Sequence, residues 1–192
     1  MSAPARQLLA RPERQAAILR GAASAFARSG FAATSMEDVA SACEVTKLIV
    51  YRHFDSKEEL YRTILERVFH RMGEELDAGL HQPDLRGVGA RTILTVARED
   101  PDGFVLLWRH AAREPQFAEY AHEQRELAVA AVRDLMVLKS GDETMDHWSA
   151  ECAFGWLVEA VLTWLEVGDE SRDAEFVERA TDALRAMRAA WD

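Results

Sequence analysis

Two cysteines, Cys43 and Cys152, are all that this chain of 192 residues holds. They stand far apart without CxxC spacing, which argues against a disulfide framework or structural zinc and suits a reducing compartment. Prolines number five and glycines ten, too few for a linker-rich or disordered chain. Long hydrophobic runs are missing: the most apolar stretch, residues 152–158, falls far below the roughly 18 residues of a membrane span. Residues 1–14 contain no apolar stretch of signal-peptide length, so the expected location is the cytoplasm. Alternating apolar and polar runs of strand length are nearly absent. Lysine is scarce, three residues against twenty arginines, a bias that matches GC-rich coding.

Hydrophobic residues make up 48% and charged residues 29%, the balance of a soluble globular protein large enough to bury a core. The net charge of -10 argues against a histone-like coat for nucleic acid, but not against a small, local DNA-reading surface.

Helical periodicity runs through almost the whole chain. Ile18, Leu19, Ala22, Ala23 and Phe26 form one stripe over residues 12–28, ended by Ser29-Gly30. Ser35 is a good N-cap for a second helix, with Asp38 as its capping-box partner. A short third helix begins after Thr46 and runs to about His53. Its core, Leu48-Ile49-Val50-Tyr51, has strand-favouring composition. A lone strand among helices would leave its backbone groups unpaired, so helix is the stronger reading. Ser56 caps a long helix over residues 57–80. Further helices are expected at 88–98, from Pro101 through 104–112, 115–138, 145–167 and 173–191, with a polar turn at 139–144. Between Cys152 and Leu165 only Glu159 and Thr163 are polar, so that helix is buried on more than one side.

The first 80 residues thus read as three short helices and a long one, the second and third joined by a tight turn at Glu44-Val45. That is the layout of a helix-turn-helix. Its second helix must be pinned from behind by apolar residues, here Val45, Val50 and Phe54. Thr46, Lys47, Leu48, Tyr51 and Arg52 then form the front, with His53 and Lys57 at the far end.

Three stretches at fixed spacing carry a family resemblance: residues 30–40 (GFAATSMEDVA), residues 45–47 (VTK) and residues 50–60 (VYRHFDSKEEL). Together they resemble the N-terminal DNA-binding domain of tetracycline-repressor-like (TetR) transcriptional regulators, over about residues 12–65. The resemblance implies an all-α fold, with a three-helix DNA-binding domain over 1–57, a connecting helix 57–80, and a larger ligand-binding and dimerisation domain over 81–192. It also implies a homodimer on a near-palindromic double-stranded operator, a small-molecule effector, and neither cofactor nor catalysis. Ser35 and Thr46 are then expected to donate to phosphates, Tyr51 and His53 to touch the backbone, and Lys57 to pair with a phosphate. Lys47, Leu48 and Arg52 are the candidates for base edges; Arg52 suits guanine and Leu48 a thymine methyl. Two positions depart from the family pattern. Glu44 replaces the usual turn glycine, at a cost of order 1 kcal/mol for a left-handed backbone. Leu48 replaces a small residue or proline.

Charge distribution agrees with this division. Residues 1–57 hold eight basic residues, Arg6 among them, and five acidic ones; the remainder holds 15 basic and 28 acidic. The acidity belongs to the C-terminal part.

In that part, Phe104, Leu107, Trp108, His110, Arg113, Phe117, Tyr120 and Trp148 are the candidate lining of an effector pocket. Phe154, Trp156, Val161, Trp164, Phe176, Ala180, Leu184 and Met187 are the candidate dimer interface on the last two helices. HExxH, GxSxG, Walker-type and GxGxxG motifs are absent, and the six scattered histidines do not form a metal-ligand pattern. An enzyme is therefore not expected.

Overall fold

The computed structural model describes residues 11–138 and 140–191. Arg6 of the basic count and Lys139 of the expected polar turn lie outside them. The described residues form helices and loops with no strand, so the all-α expectation holds.

The chain divides into two compact units, with the boundary between Ile64 and Leu65. The first contains α1 (Arg11–Ser29), α2 (Met36–Ala42), α3 (Lys47–Tyr51) and the opening turns of α4 (Lys57–Leu80). Its core draws one stripe from each element: Ile18 and Phe26 from α1, Val39 from α2, Val50 from α3, and Leu60 and Tyr61 from α4, all fully or almost fully buried. Three rings lock it. Tyr61 meets Phe26 and Phe31 edge-on, each with centroids 5.1 Å apart. Such contacts add about 0.5–1.5 kcal/mol each beyond area burial. The strand-favouring segment is helical, because burying Val50 and Phe54 in the core of this unit outweighs a weak local propensity.

The second unit contains the rest of α4, then α5 (Val88–Glu99), α6 (Pro101–Val105), α7 (Ala118–Met136), α8 (Glu143–Val167) and α9 (Asp173–Trp191). Asp100 caps α6, accepting from the Gly103 N–H at 3.0 Å, and Pro101 takes the first helical position. Gly87 opens α5 at φ 69, and a β-carbon there would lie 2.5 Å from Thr181 Oγ1 of α9. Glycine is thus required on both backbone and packing grounds.

One expected helix is remodelled. Beyond α6 the chain continues as a π-helical turn, Leu106–His110, and a 3-10 turn, Ala111–Arg113. No glycine or proline in residues 104–112 signals this, so periodicity alone reads straight through. The wider turn lets adjacent residues both face α8: the Trp108 ring lies 5.0 Å from that of Phe154, and Arg109 donates to Glu159 at 2.8 Å. α7 begins at Ala118 and not at Pro115, because Pro115 stays in the preceding turn.

Candidate nucleic-acid interface

Ser35 opens α2 with a reciprocal capping box: its hydroxyl accepts from the Asp38 N–H at 3.2 Å, and Asp38 accepts from the Ser35 N–H at 2.8 Å. The Ser35 hydroxyl also donates to the Asp38 carboxylate at 2.6 Å. These bonds hold the Asp38 carboxyl below its ordinary pKa. The one proton of this hydroxyl is therefore engaged within the protein, and donation to a phosphate means releasing Asp38.

The turn between α2 and α3 closes with Val45 N–H on the Ala40 carbonyl at 3.0 Å. Its corner is Glu44, at φ 53, the left-handed conformation expected for this position. The turn aims α3 so that Val50 is fully buried while Thr46, Lys47, Leu48, Tyr51 and Arg52 are exposed. Leu48 is 63% exposed and Tyr51 42%, unusual values for large apolar side chains in a helix whose other face is packed. Thr46 opens α3 in extended backbone but makes no side-chain capping bond.

Lys47 is paired with Glu37 of α2, and that hydrogen bond lowers the Glu37 pKa and raises that of Lys47. Its ammonium also stands 5.6 Å from the Tyr51 ring centroid. Reading a base with Lys47 means releasing Glu37. His53 is half-buried, and its Nδ1 is enclosed without a hydrogen-bond partner. Burial, with the nearby positive charges of Arg11 and Arg14, lowers its pKa below 6.5, so it is neutral at pH 7. The Lys57 ammonium turns inward, donating to the carbonyls of Phe31 at 2.9 Å and Thr34 at 3.0 Å. Two of its three donors thus serve the fold, which leaves one for the expected phosphate. Sequence reasoning missed Arg11 and Arg14 as neighbours of this face. Their position at the start of α1 was the available signal.

The second unit rearranges the other expectations. Phe104, Leu107 and Phe117 are closed core, Arg113 is exposed, and Trp148 lies edge-on to Trp191 with centroids 5.8 Å apart. Trp108, His110 and Tyr120 are half-buried. Two cavities draw their walls from none of these eight. The inner one, of about 200 Å³, lies among α4, α5, α7 and α8 and is lined by residues such as Met72, Ile93, Ala131 and Phe154. The outer one, of about 500 Å³, lies among the 83–87 loop, α5, α7, α8 and α9. The sequence stripe placed aromatic residues in the pocket, but close packing of those rings against one another fills the space.

Of the expected dimer residues, Phe154, Val161 and Ala180 are buried inside their own unit, and Leu184 lines the outer cavity. The three buried side chains offer no surface to a partner, whereas Leu184 is half-exposed. Trp156, Trp164, Phe176 and Met187 remain half-exposed. Trp164 stacks on Phe176 at 5.2 Å and donates through Nε1 to Asp173 at 2.7 Å. Asp173 also holds Arg98 by two hydrogen bonds, at 2.8 and 3.0 Å, and these contacts lower its pKa.

Glu126 of α7 and His147 and Glu151 of α8 bring three metal-ligand atoms within 4.8 Å of one another, a grouping the sequence reading did not anticipate. Arg125 occupies Glu151 with two hydrogen bonds, at 2.6 and 2.9 Å. Among the described residues no helix is long and apolar enough to cross a membrane.

Comparison with known proteins bears directly on this geometry. Residues 18–64 match the family model "Bacterial regulatory proteins, tetR family". The HTH-type transcriptional activator FasR of Mycolicibacterium smegmatis is 30% identical over 169 residues, covering 82% of this chain and 74% of FasR. An HTH-type transcriptional repressor of Mycobacterium tuberculosis is 39% identical over 71 residues, 37% of this chain and 36% of its own. Among solved structures, AibR in complex with isovaleryl coenzyme A and operator DNA superposes with a TM-score of 0.69 at 19% identity, over 89% of this chain and 97% of that one.

Proposed function

The chain belongs to the TetR family of bacterial regulatory proteins and is a DNA-binding transcriptional regulator, not an enzyme; from that premise we propose that it is a homodimeric repressor released from its operator by a small-molecule effector. The observation that carries the reading is the outward face of α3. Leu48, Tyr51 and Arg52 stand exposed on a helix pinned from behind by Val50, a presentation suited to a major groove. Arg52 reads a guanine edge, Leu48 packs on a thymine methyl, and Tyr51 and Thr46 meet phosphates. Two such helices, one per protomer, take the half-sites of a near-palindromic operator.

A named repressor, 39% identical over 71 residues, supports repression, and FasR, matched over 169 residues, is named an activator. AibR is known with both an effector and operator DNA, which supports an effector for this chain. The inner cavity touches Phe69, Met72 and Leu76 of α4, and α4 runs unbroken from Lys57 to Leu80. Occupation of the cavity shifts α4, and a coupling of about 1–3 kcal/mol suffices to release DNA. The protein acts in the cytoplasm. A footprint on the intergenic DNA beside its own gene, repeated with candidate effectors, tests the reading. A protected, near-palindromic segment that an effector clears supports it; absence of any sequence-specific protection refutes it.

A further inference from the structure

The two cavities of the second unit adjoin, sharing Gly89, Val132, Leu135 and Leu157 as common wall. Their linings differ in chemistry. The inner cavity has no charged residue among those that line it, and Thr92 is its one polar side chain. Among the described residues the outer cavity is lined by three arginines, Arg86, Arg185 and Arg188, and by no aspartate or glutamate. That is against the grain of this part of the chain, where residues 58–192 hold 28 acidic residues and 15 basic ones. Carboxylates do stand nearby: Asp84 holds Arg86 at 2.9 Å and Asp182 stands 3.6 Å from Arg185. Neither lines the cavity, so the charged side chains on its wall, among the described residues, are all guanidinium groups.

Resting on the reading that this regulator answers to a small molecule, we propose that the effector is an amphipathic anion: an unbranched or branched aliphatic chain in the inner cavity, with an anionic head group among Arg86, Arg185 and Arg188. The outer volume, about 500 Å³, falls in the range that holds small ligands, and the inner one, about 200 Å³, extends it for an aliphatic chain. Burial of the chain drives affinity, and the guanidinium groups select the sign of the head group and fix its orientation. A carboxylate and the phosphates of an acyl thioester present the same chemistry to arginine, so both sources are tested.

The experiment is titration calorimetry of the full-length protein, without DNA, against saturated fatty acids of six to twelve carbons, the matching acyl-coenzyme A thioesters, and alkyltrimethylammonium salts of equal chain length. Each added methylene is expected to tighten binding roughly fourfold until the inner cavity is full. Binding by the free acids identifies a carboxylate head, and binding by the thioesters alone identifies the phosphates. Either outcome supports the proposal. Arg185→Glu, at an exposed position, is expected to weaken every anion by about tenfold or more while leaving the chain-length dependence intact. Ala131→Phe is expected to shorten the chain at which affinity levels off. The proposal is overturned if neither series binds, if the ammonium salts bind as well as the anions, or if affinity ignores chain length. These outcomes leave the footprint on DNA untouched, so failure of the ligand class and failure of the regulator reading are distinguishable.

Discussion

The Lys57 ammonium donates to the Phe31 carbonyl at 2.9 Å and stands 4.2 Å from the centroid of that residue's ring. With the Thr34 carbonyl as second acceptor, it ties the loop before α2 to the first turn of α4. A lysine that braces and a lysine that binds phosphate respond differently to substitution. Lys57→Met keeps the stem and removes the donors. It is expected to cost about 1–2 kcal/mol in stability, from two charge-assisted bonds on a half-buried group. The salt dependence of DNA binding stays unchanged, whereas loss of a phosphate contact would reduce the log–log slope by about one. Thermal unfolding and an affinity series from 50 to 200 mM salt, as approximate limits, decide between the two.

The corner residue Glu44 gives a second prediction. Its left-handed backbone, at φ 53, carries strain of about 1–2 kcal/mol that glycine does not feel. Glycine loses more chain entropy on folding, about 0.5–1 kcal/mol, so the two effects largely cancel. Glu44→Gly should leave stability within about 1 kcal/mol of the parent. It should tighten DNA binding several-fold at low salt, because a carboxylate beside the duplex is removed. Chemical denaturation and a band-shift titration read the two quantities separately.

Asp173 supplies a pH prediction. Hydrogen bonds from Arg98, then Trp164, depress its pKa below 3.8. A carboxyl with a lower pKa folded than unfolded stabilises fully above its unfolded value and loses that contribution as pH falls through the folded value. The side chains of this pair are 23% and 22% exposed, so the contribution at pH 7 is about 1–2 kcal/mol after solvent screening. Asp173→Asn should therefore be less stable than the parent at pH 7. The gap should persist down to about pH 4 and close below it. A gap independent of pH would mean that the hydrogen-bond geometry, and not the charge, stabilises the contact.

Much of this was legible in the residues themselves. Capping signals at Ser35 and Ser56, the apolar stripes and the spacing around residues 30–60 specify the DNA-binding unit, because caps and periodicity are local properties. The exposed face of α3 follows from the same periodicity, and the left-handed backbone of Glu44 follows from its place at the turn. What one sequence does not carry is the partner of a long polar side chain. Lys57 finds carbonyls 23 and 26 residues away in sequence, and Lys47 finds Glu37 across a turn. The two cavities lie apart from the aromatic stripe for a related reason. An aromatic stripe fits a pocket wall and a filled core equally well, and only packing showed that Phe104, Leu107 and Phe117 fill space. The π-helical turn at Leu106–His110 arises from contacts of Trp108 and Arg109 with α8, which leave no local mark.

The account depends most on α3 reading base edges. Fluorescence anisotropy of the footprinted duplex and a scrambled duplex, with the parent and an Arg52→Ala variant, tests that directly. The account predicts that the parent prefers its site by about a thousandfold or more. It also predicts that Arg52→Ala loses about 1–3 kcal/mol on the site, with relaxed specificity at one base pair and unchanged thermal stability. Equal affinity of the parent for both duplexes, or full operator affinity in a Leu48→Ala, Arg52→Ala double variant, would contradict it.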